Sequence, residues 1–70
     1  MKTYQMTQHT GGDMGARFYI DGVRVSDHDY SVMVNRAYRE GRVDCFSTSG
    51  KQLPGGKIRR VNHFIAHVPE

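Results

Sequence analysis

The residues of this chain best suited to bind a metal ion or to act as a nucleophile are four histidines and one cysteine: His9, His28, His63, His67 and Cys45. There is no Cys-x-x-Cys pattern, and His63 and His67 lie four residues apart on a predicted strand. At about 3.3 Å per residue they are about 13 Å apart, too far to share one ion. Cys45 lies within another predicted strand, where we expect a small buried apolar side chain. We therefore predict no metal, no cofactor and no enzymatic activity.

Two glycine-rich segments and two aspartates are further candidates for a phosphate-binding or catalytic role. Segments 11–15 and 55–56 lack the Gly-Lys-Ser/Thr of a P-loop and the following helix of a dinucleotide-binding site. Asp27 and Asp29 open a predicted helix, where carboxylates favour the positive end of the helix dipole. The glycines therefore indicate turns, and the aspartates indicate helix capping.

Positive charge is concentrated near the C-terminal end. Ten Lys and Arg against seven Asp and Glu give a net charge of +3, and within residues 1–50 six basic and six acidic residues cancel. Cations on a strand beside a glycine-rich loop fit contacts to nucleic-acid phosphates or to a partner protein. The alternative is a solvated sheet edge that its cations protect from pairing with other chains. The candidate binding residues are Lys51, Lys57, Arg59, Arg60 and His63.

Two N-terminal strand regions and a helix must position these residues. Residues 3–9 alternate as a half-buried strand, and their polar half indicates a sheet edge. Asp-Gly at 21–22, between two β-prone runs, predicts a hairpin with a type I′ turn. Ser26 resembles a helix N-cap, and a helix should run from Asp27 to a stop at Gly41. Its apolar stripe is formed by Tyr30, Met33, Val34, Ala37 and Tyr38.

The C-terminal part of the chain predicts two further strands. Residues 43–48 form a short strand, residues 49–56 a flexible connection, and residues 57–68 the longest strand. A bulge near Asn62 would let Ile58, Val61 and Phe64 all reach the core. The predicted fold is thus a single small α+β domain over residues 1–70. It has one antiparallel sheet in the order β, β-hairpin, α, β, β, with one helix packed on one face.

Three segments, residues 17–26, 40–48 and 55–62, resemble the small accessory proteins of lambdoid phages and prophages. The likeness lies in the chain length, in an aromatic-x-x-Asp-Gly-x-Arg-Val-Ser hairpin and in a glycine-rich lead into a basic final strand. It implies a non-enzymatic binding protein that modulates host replication, recombination or defence through contacts with a host protein. The alternative is a small nucleic-acid-binding protein that uses the basic C-terminal strand.

The sequence also predicts where the protein acts and with what. It has no apolar leader segment and no run near the ~20 apolar residues of a membrane span, so we expect the host cytoplasm and no membrane contact. A chain of 70 residues has a thin core. Together with the polar N-terminal strand, taken as an unpaired edge, this predicts a homodimer.

Overall fold

The computed structural model describes residues 1–11 and 15–70 and confirms the predicted α+β fold. All strand pairs are antiparallel, and the five strands lie side by side in the order β3-β2-β1-β5-β4. The elements are β1 (Lys2–Gly11), β2 (Arg17–Ile20), β3 (Val23–Val25), α1 (Asp27–Glu40), β4 (Arg42–Gln52) and β5 (Ile58–Val68).

Strand β1 lies at the centre of the sheet, so its predicted place at an edge is wrong. It pairs with β2 on one side and with β5 on the other, from Lys2 opposite Val68 to Gly11 opposite Arg59. Its polar side chains alternate because the helix covers only one face of the sheet, not because the strand lacks a neighbour. The edges are β3 and β4. The edge argument for a homodimer therefore no longer holds.

The turn between β2 and β3 has the backbone that a type I′ hairpin requires. Asp21 has φ 52° and Gly22 has φ 79°. Asp21 is also tied to the central strand, because its N–H donates to the Gln5 carbonyl and its carboxylate accepts from the Gln5 N–H, both at 2.8 Å. The turn therefore joins three strands of the sheet.

Helix α1 begins and packs as its sequence predicts, with one exception. The Ser26 hydroxyl accepts a hydrogen bond from the Asp29 N–H at 3.1 Å, which is the expected N-cap. Tyr30 and Ala37 are buried against the sheet, whereas Tyr38 is 68% exposed. At about 100° per residue, position i+8 is rotated about 80° from Tyr30, which takes Tyr38 off the packed face. The buried core consists of Met6, Tyr30, Ala37, Phe64, Ala66 and Val68.

The helix stops at Gly41, but not through a left-handed cap. Gly41 has φ −134° and ψ −135°, and its N–H donates to the Ala37 carbonyl at 3.1 Å. A β-carbon at this position would collide with the carbonyl oxygen of His67. Glycine is needed here because the chain passes directly against β5.

The bulge lies in β4, between Asp44 and Ser47, and not near Asn62 in β5 as predicted. Cys45 has φ 55° there, and β5 stays in register with β1 over its whole length. The alternation of β5 is therefore unbroken, which leaves Val61 on the face opposite Phe64, so the prediction that Val61 reaches the core is wrong. Ile58 lies on the same face as Phe64 but outside the buried core, where it is 51% exposed, so the prediction that it reaches the core is also wrong. An edge strand takes up an extra residue more easily than a strand paired on both sides, because only one ladder is disturbed.

Strands β4 and β5 extend beyond the helix and form an arm. We use this name for Thr48 to Gln52 paired with Ile58 to Asn62. Much of the predicted loop 49–56 is thus strand, closed by a hydrogen bond of 2.7 Å from the Leu53 N–H to the Lys57 carbonyl. The arm makes the molecule elongated, with extents of 44 × 22 × 18 Å.

Gly41→Ala should destabilise the protein by about 1 to 3 kcal/mol, because the added methyl group meets a fixed backbone carbonyl. Urea unfolding followed by circular dichroism measures the change. Gly50→Ala is the matched control, since its β-carbon would have no neighbour closer than 3.9 Å. Equal stabilities of the two variants would contradict the close approach of the chain to β5.

Candidate nucleic-acid interface

The face of the sheet that the helix leaves uncovered is the candidate site, and we call it the open face. The register places the odd-numbered residues of β1 and β5 on it. Side-chain contacts confirm this assignment: the hydroxyls of Thr3 and Thr7 hydrogen-bond Nδ1 of His67 and His63 at 3.0 and 3.1 Å. Apolar partners such as Phe64 lie on the opposite, helix-covered face.

Five cationic side chains from four strands share the open face. In the part of the chain that the structure describes, Asp44 is the one carboxylate at a strand position of this face, whereas Asp27, Asp29 and Glu40 lie on the helix. Charges that cancel along the sequence are therefore separated in space. The five cations are Arg17, Arg24, Arg42, Lys51 and Arg59.

Asp44 neutralises one end of this face. Its carboxylate lies 2.8 Å from Nε of Arg42 and 2.9 Å from Nε2 of His67. The His67 ring is held from its other side by Thr3. Because Arg42 and Asp44 are partly exposed, their ion pair contributes little stability. Its main effect is to leave the positive charge concentrated toward the arm and toward β2 and β3.

The residues predicted from the basic C-terminal end divide between the two faces. Lys51 and Arg59 lie opposite each other on the open face, and His63 lies further along the same face. Arg60 is on the helix side, as strand alternation requires, and Lys57 precedes β5. The structure thus brings three of the five candidates to one surface.

The sequence analysis did not predict three of the cations on this face, namely Arg17, Arg24 and Arg42. For the first two a signal was present, because each alternates with apolar residues of the hairpin and so must point away from the core. A count of charges along the chain does not show this, because it ignores the side of the strand on which each residue lies. Arg42 was placed outside the predicted strand 43–48, whereas β4 begins with it.

Tyr19 is the one phenyl or phenol ring on the open face among the described strands. Its ring meets His9 edge to face, with centroids 5.3 Å apart and planes at 76°. Tyr19 is only partly exposed. The open face therefore offers cations and small polar side chains rather than a row of rings on which bases could stack.

The structure shows where the cysteine lies and whether the histidines come together with other metal-binding side chains. Cys45 is exposed at the bulge, so the prediction of a buried side chain is wrong. In the described residues no three His, Cys, Asp or Glu side chains come together as a possible metal site.

Helix α1 has 14 residues and is too short and too polar to cross a membrane, and the described chain has no other helix.

Comparison of the chain with family models, with curated proteins and with solved structures gives no match. The resemblance to phage accessory proteins stays a prediction, as do the non-enzymatic role and the host cytoplasm. The candidate binding site is therefore defined by the arrangement of its side chains and not by a relative of known function.

Cys45 should react completely with iodoacetamide in the native protein, because its side chain is exposed on the bulged edge strand. Mass spectrometry of the intact chain gives the extent of labelling. The rate should approach that of the urea-unfolded chain, which serves as the reference. Protection of the thiol until global unfolding would contradict the position of the bulge.

Proposed function

We propose that the protein binds duplex DNA without sequence preference, through contacts of the open face with the phosphate backbone. The observation that carries this proposal is the clustering of cations from β2, β3, β4 and β5 on one uncovered face, with Asp44 as its carboxylate in the described strands. Such contacts release the counterions condensed on DNA, and they supply most of the affinity of a protein for DNA of any sequence.

The width of the open face supports a duplex as the ligand. Four inter-strand spacings of about 4.8 Å place β3 and β4 about 19 Å apart. Arg24 and Lys51, at these two edges, are exposed. The register puts Arg24 level with Ser47, and Lys51 lies four residues further along β4, so the two cations are about 23 Å apart along a diagonal of the sheet. A DNA major groove is about 12 Å wide, so long side chains that extend inward from these positions can reach phosphates on both sides of a groove. Thr7 and Ser47 between them add short polar side chains.

The scarcity of rings argues against a single strand as the preferred ligand. Proteins that hold single strands without sequence preference combine a basic groove with aromatic side chains on which successive bases stack. Here Tyr19 lies edge-on against His9, and the rings of Phe18 and Phe64 are on the helix side. The charges of the open face thus have phosphates as their natural partners.

The leading hypothesis from the sequence, a host-modulating protein that acts through protein contacts, receives less support from this geometry. A row of cations with one carboxylate is typical of surfaces that bind a polyanion. The nucleic-acid alternative is therefore preferred, with one change. The binding surface includes β2 and β3 and is not confined to the basic C-terminal strand.

Arg24→Ala combined with Lys51→Ala should weaken binding to a short DNA duplex of arbitrary sequence. The slope of log affinity against log salt should fall by about 2, roughly one unit per lost phosphate contact. Fluorescence anisotropy titrations over about 50 to 200 mM salt measure both quantities. The effect should be the same for unrelated duplex sequences.

Lys2→Ala combined with Arg39→Ala is the matched control, because it removes the same charge from outside the open face. This variant should keep the salt slope of the unmodified protein. Equal losses in the two double variants would show that net charge alone drives binding. Tighter binding of the single strand than of the duplex would contradict the choice of ligand.

A further inference from the structure

Three of the four histidines of the chain lie on the open face. His9 lies in β1, and His63 and His67 lie in β5, all at odd-numbered positions that the register places on this face. His28 is exposed on helix α1. Histidine is the side chain that gains a proton between about pH 5 and 8, whereas lysine and arginine stay charged over this range. The positive charge of the open face therefore increases as the pH falls.

His67 is not available to a ligand. Its Nε2 atom lies 2.9 Å from the Asp44 carboxylate, and its Nδ1 atom lies 3.0 Å from the Thr3 hydroxyl. Both ring nitrogens thus have partners within the protein, and the side chain is 18% exposed. Positive charge on His67 is also balanced by the carboxylate beside it, so His67 adds no phosphate contact.

The His63 ring is held in a way that allows it to gain a proton. Its Nδ1 atom lies 3.1 Å from the Thr7 hydroxyl. A hydroxyl can donate to a neutral ring nitrogen and can accept from a protonated one, so this hydrogen bond forms in both states of the ring. The other nitrogen, Nε2, is the one that remains for a ligand on the open face. In the protonated ring its N–H is a charged donor, which suits a phosphate oxygen.

The residues around His63 do not neutralise a charge on its ring. Directly opposite it are Thr7 on β1 and Ser47 on β4, and neither side chain is ionised. The diagonal neighbours that can titrate are His9 on β1 and Asp44 on β4. The Asp44 carboxylate already has two partners within the protein. A bound phosphate is therefore the natural anion for a protonated His63.

His63 lies in the gap between the cations of the hairpin and those of the arm. The register places it in one row with Arg24, three inter-strand spacings or about 14 Å away. Arg59 lies four residues along β5, about 13 Å away. A positive charge on His63 thus joins the two groups of cations across the open face.

We propose that His63, when protonated, is a phosphate ligand of the open face, so that the protein binds duplex DNA more tightly as the pH falls. This inference rests on the proposed binding of DNA. A proton on His63 and a phosphate beside it favour each other's binding by the same factor, because the coupling between two ligands is reciprocal. At higher pH the face binds phosphates through its lysine and arginine side chains.

Titrations of a short duplex at about pH 5.5 and about pH 8, on either side of the histidine range, test the inference. The unmodified protein should bind about three- to tenfold more tightly at the lower pH. Its slope of log affinity against log salt should be steeper there by about one, as for one added phosphate contact. His63→Gln should bind like the unmodified protein at the higher pH and should lose most of the gain at the lower pH. His63→Lys should bind tightly at both, because its charge is permanent.

His28→Gln is the matched control, because it removes a histidine from outside the open face. It should keep the gain in affinity and the steeper slope at the lower pH, and their loss would show an effect of net charge and overturn the inference. If His63→Gln keeps both, or weakens binding equally at the two pH values, the inference is overturned while the proposed DNA binding stands. Absence of duplex binding by the unmodified protein at both pH values would overturn both proposals.

Discussion

A five-stranded sheet with one helix can bury only one of its faces, and the rest of this structure depends on that constraint. On the covered face Met6, Phe64 and Ala66 are buried. On the open face every strand must carry side chains that tolerate water. The polar alternation of β1 is therefore what a central strand of such a sheet requires.

Features that depend on neighbouring residues could be predicted from the sequence. The Asp-Gly turn, the Ser26 cap and the span of the helix are decided by interactions within a few residues, and the structure has each of them. Strand order and the position of the bulge could not be predicted in this way. Strand order depends on the pairing of β1 with β5, which are distant in sequence, and the position of the bulge depends on the register of β4 against β5. Gly41 shows the same limit, because the carbonyl that excludes a side chain there belongs to His67.

Only part of the candidate site could be predicted, because a site residue is visible in the sequence only where its neighbours along the chain are also basic. Lys51, Arg59 and His63 were found because they belong to a visibly basic segment. Arg17 and Arg24 lie in a segment whose charges cancel, and only strand alternation separates them from nearby carboxylates. In the fold, Asp27 lies on the helix and Asp21 accepts from the Gln5 N–H in the turn, whereas both cations lie on the open face. Net charge along a chain is thus a poor guide to the charge of a surface.

The bulge in β4 decides which side chains of that strand lie on each face of the sheet. Before it, even-numbered residues such as Asp44 lie on the open face, and after it odd-numbered residues do. The extra residue at Cys45 therefore brings Lys51 opposite Arg59 on the cationic side. The same shift places Phe46 against Phe64 on the helix side. In an unbulged strand Lys51 would lie opposite Ile58 on the helix side, so one inserted residue brings the charge of Lys51 to the open face.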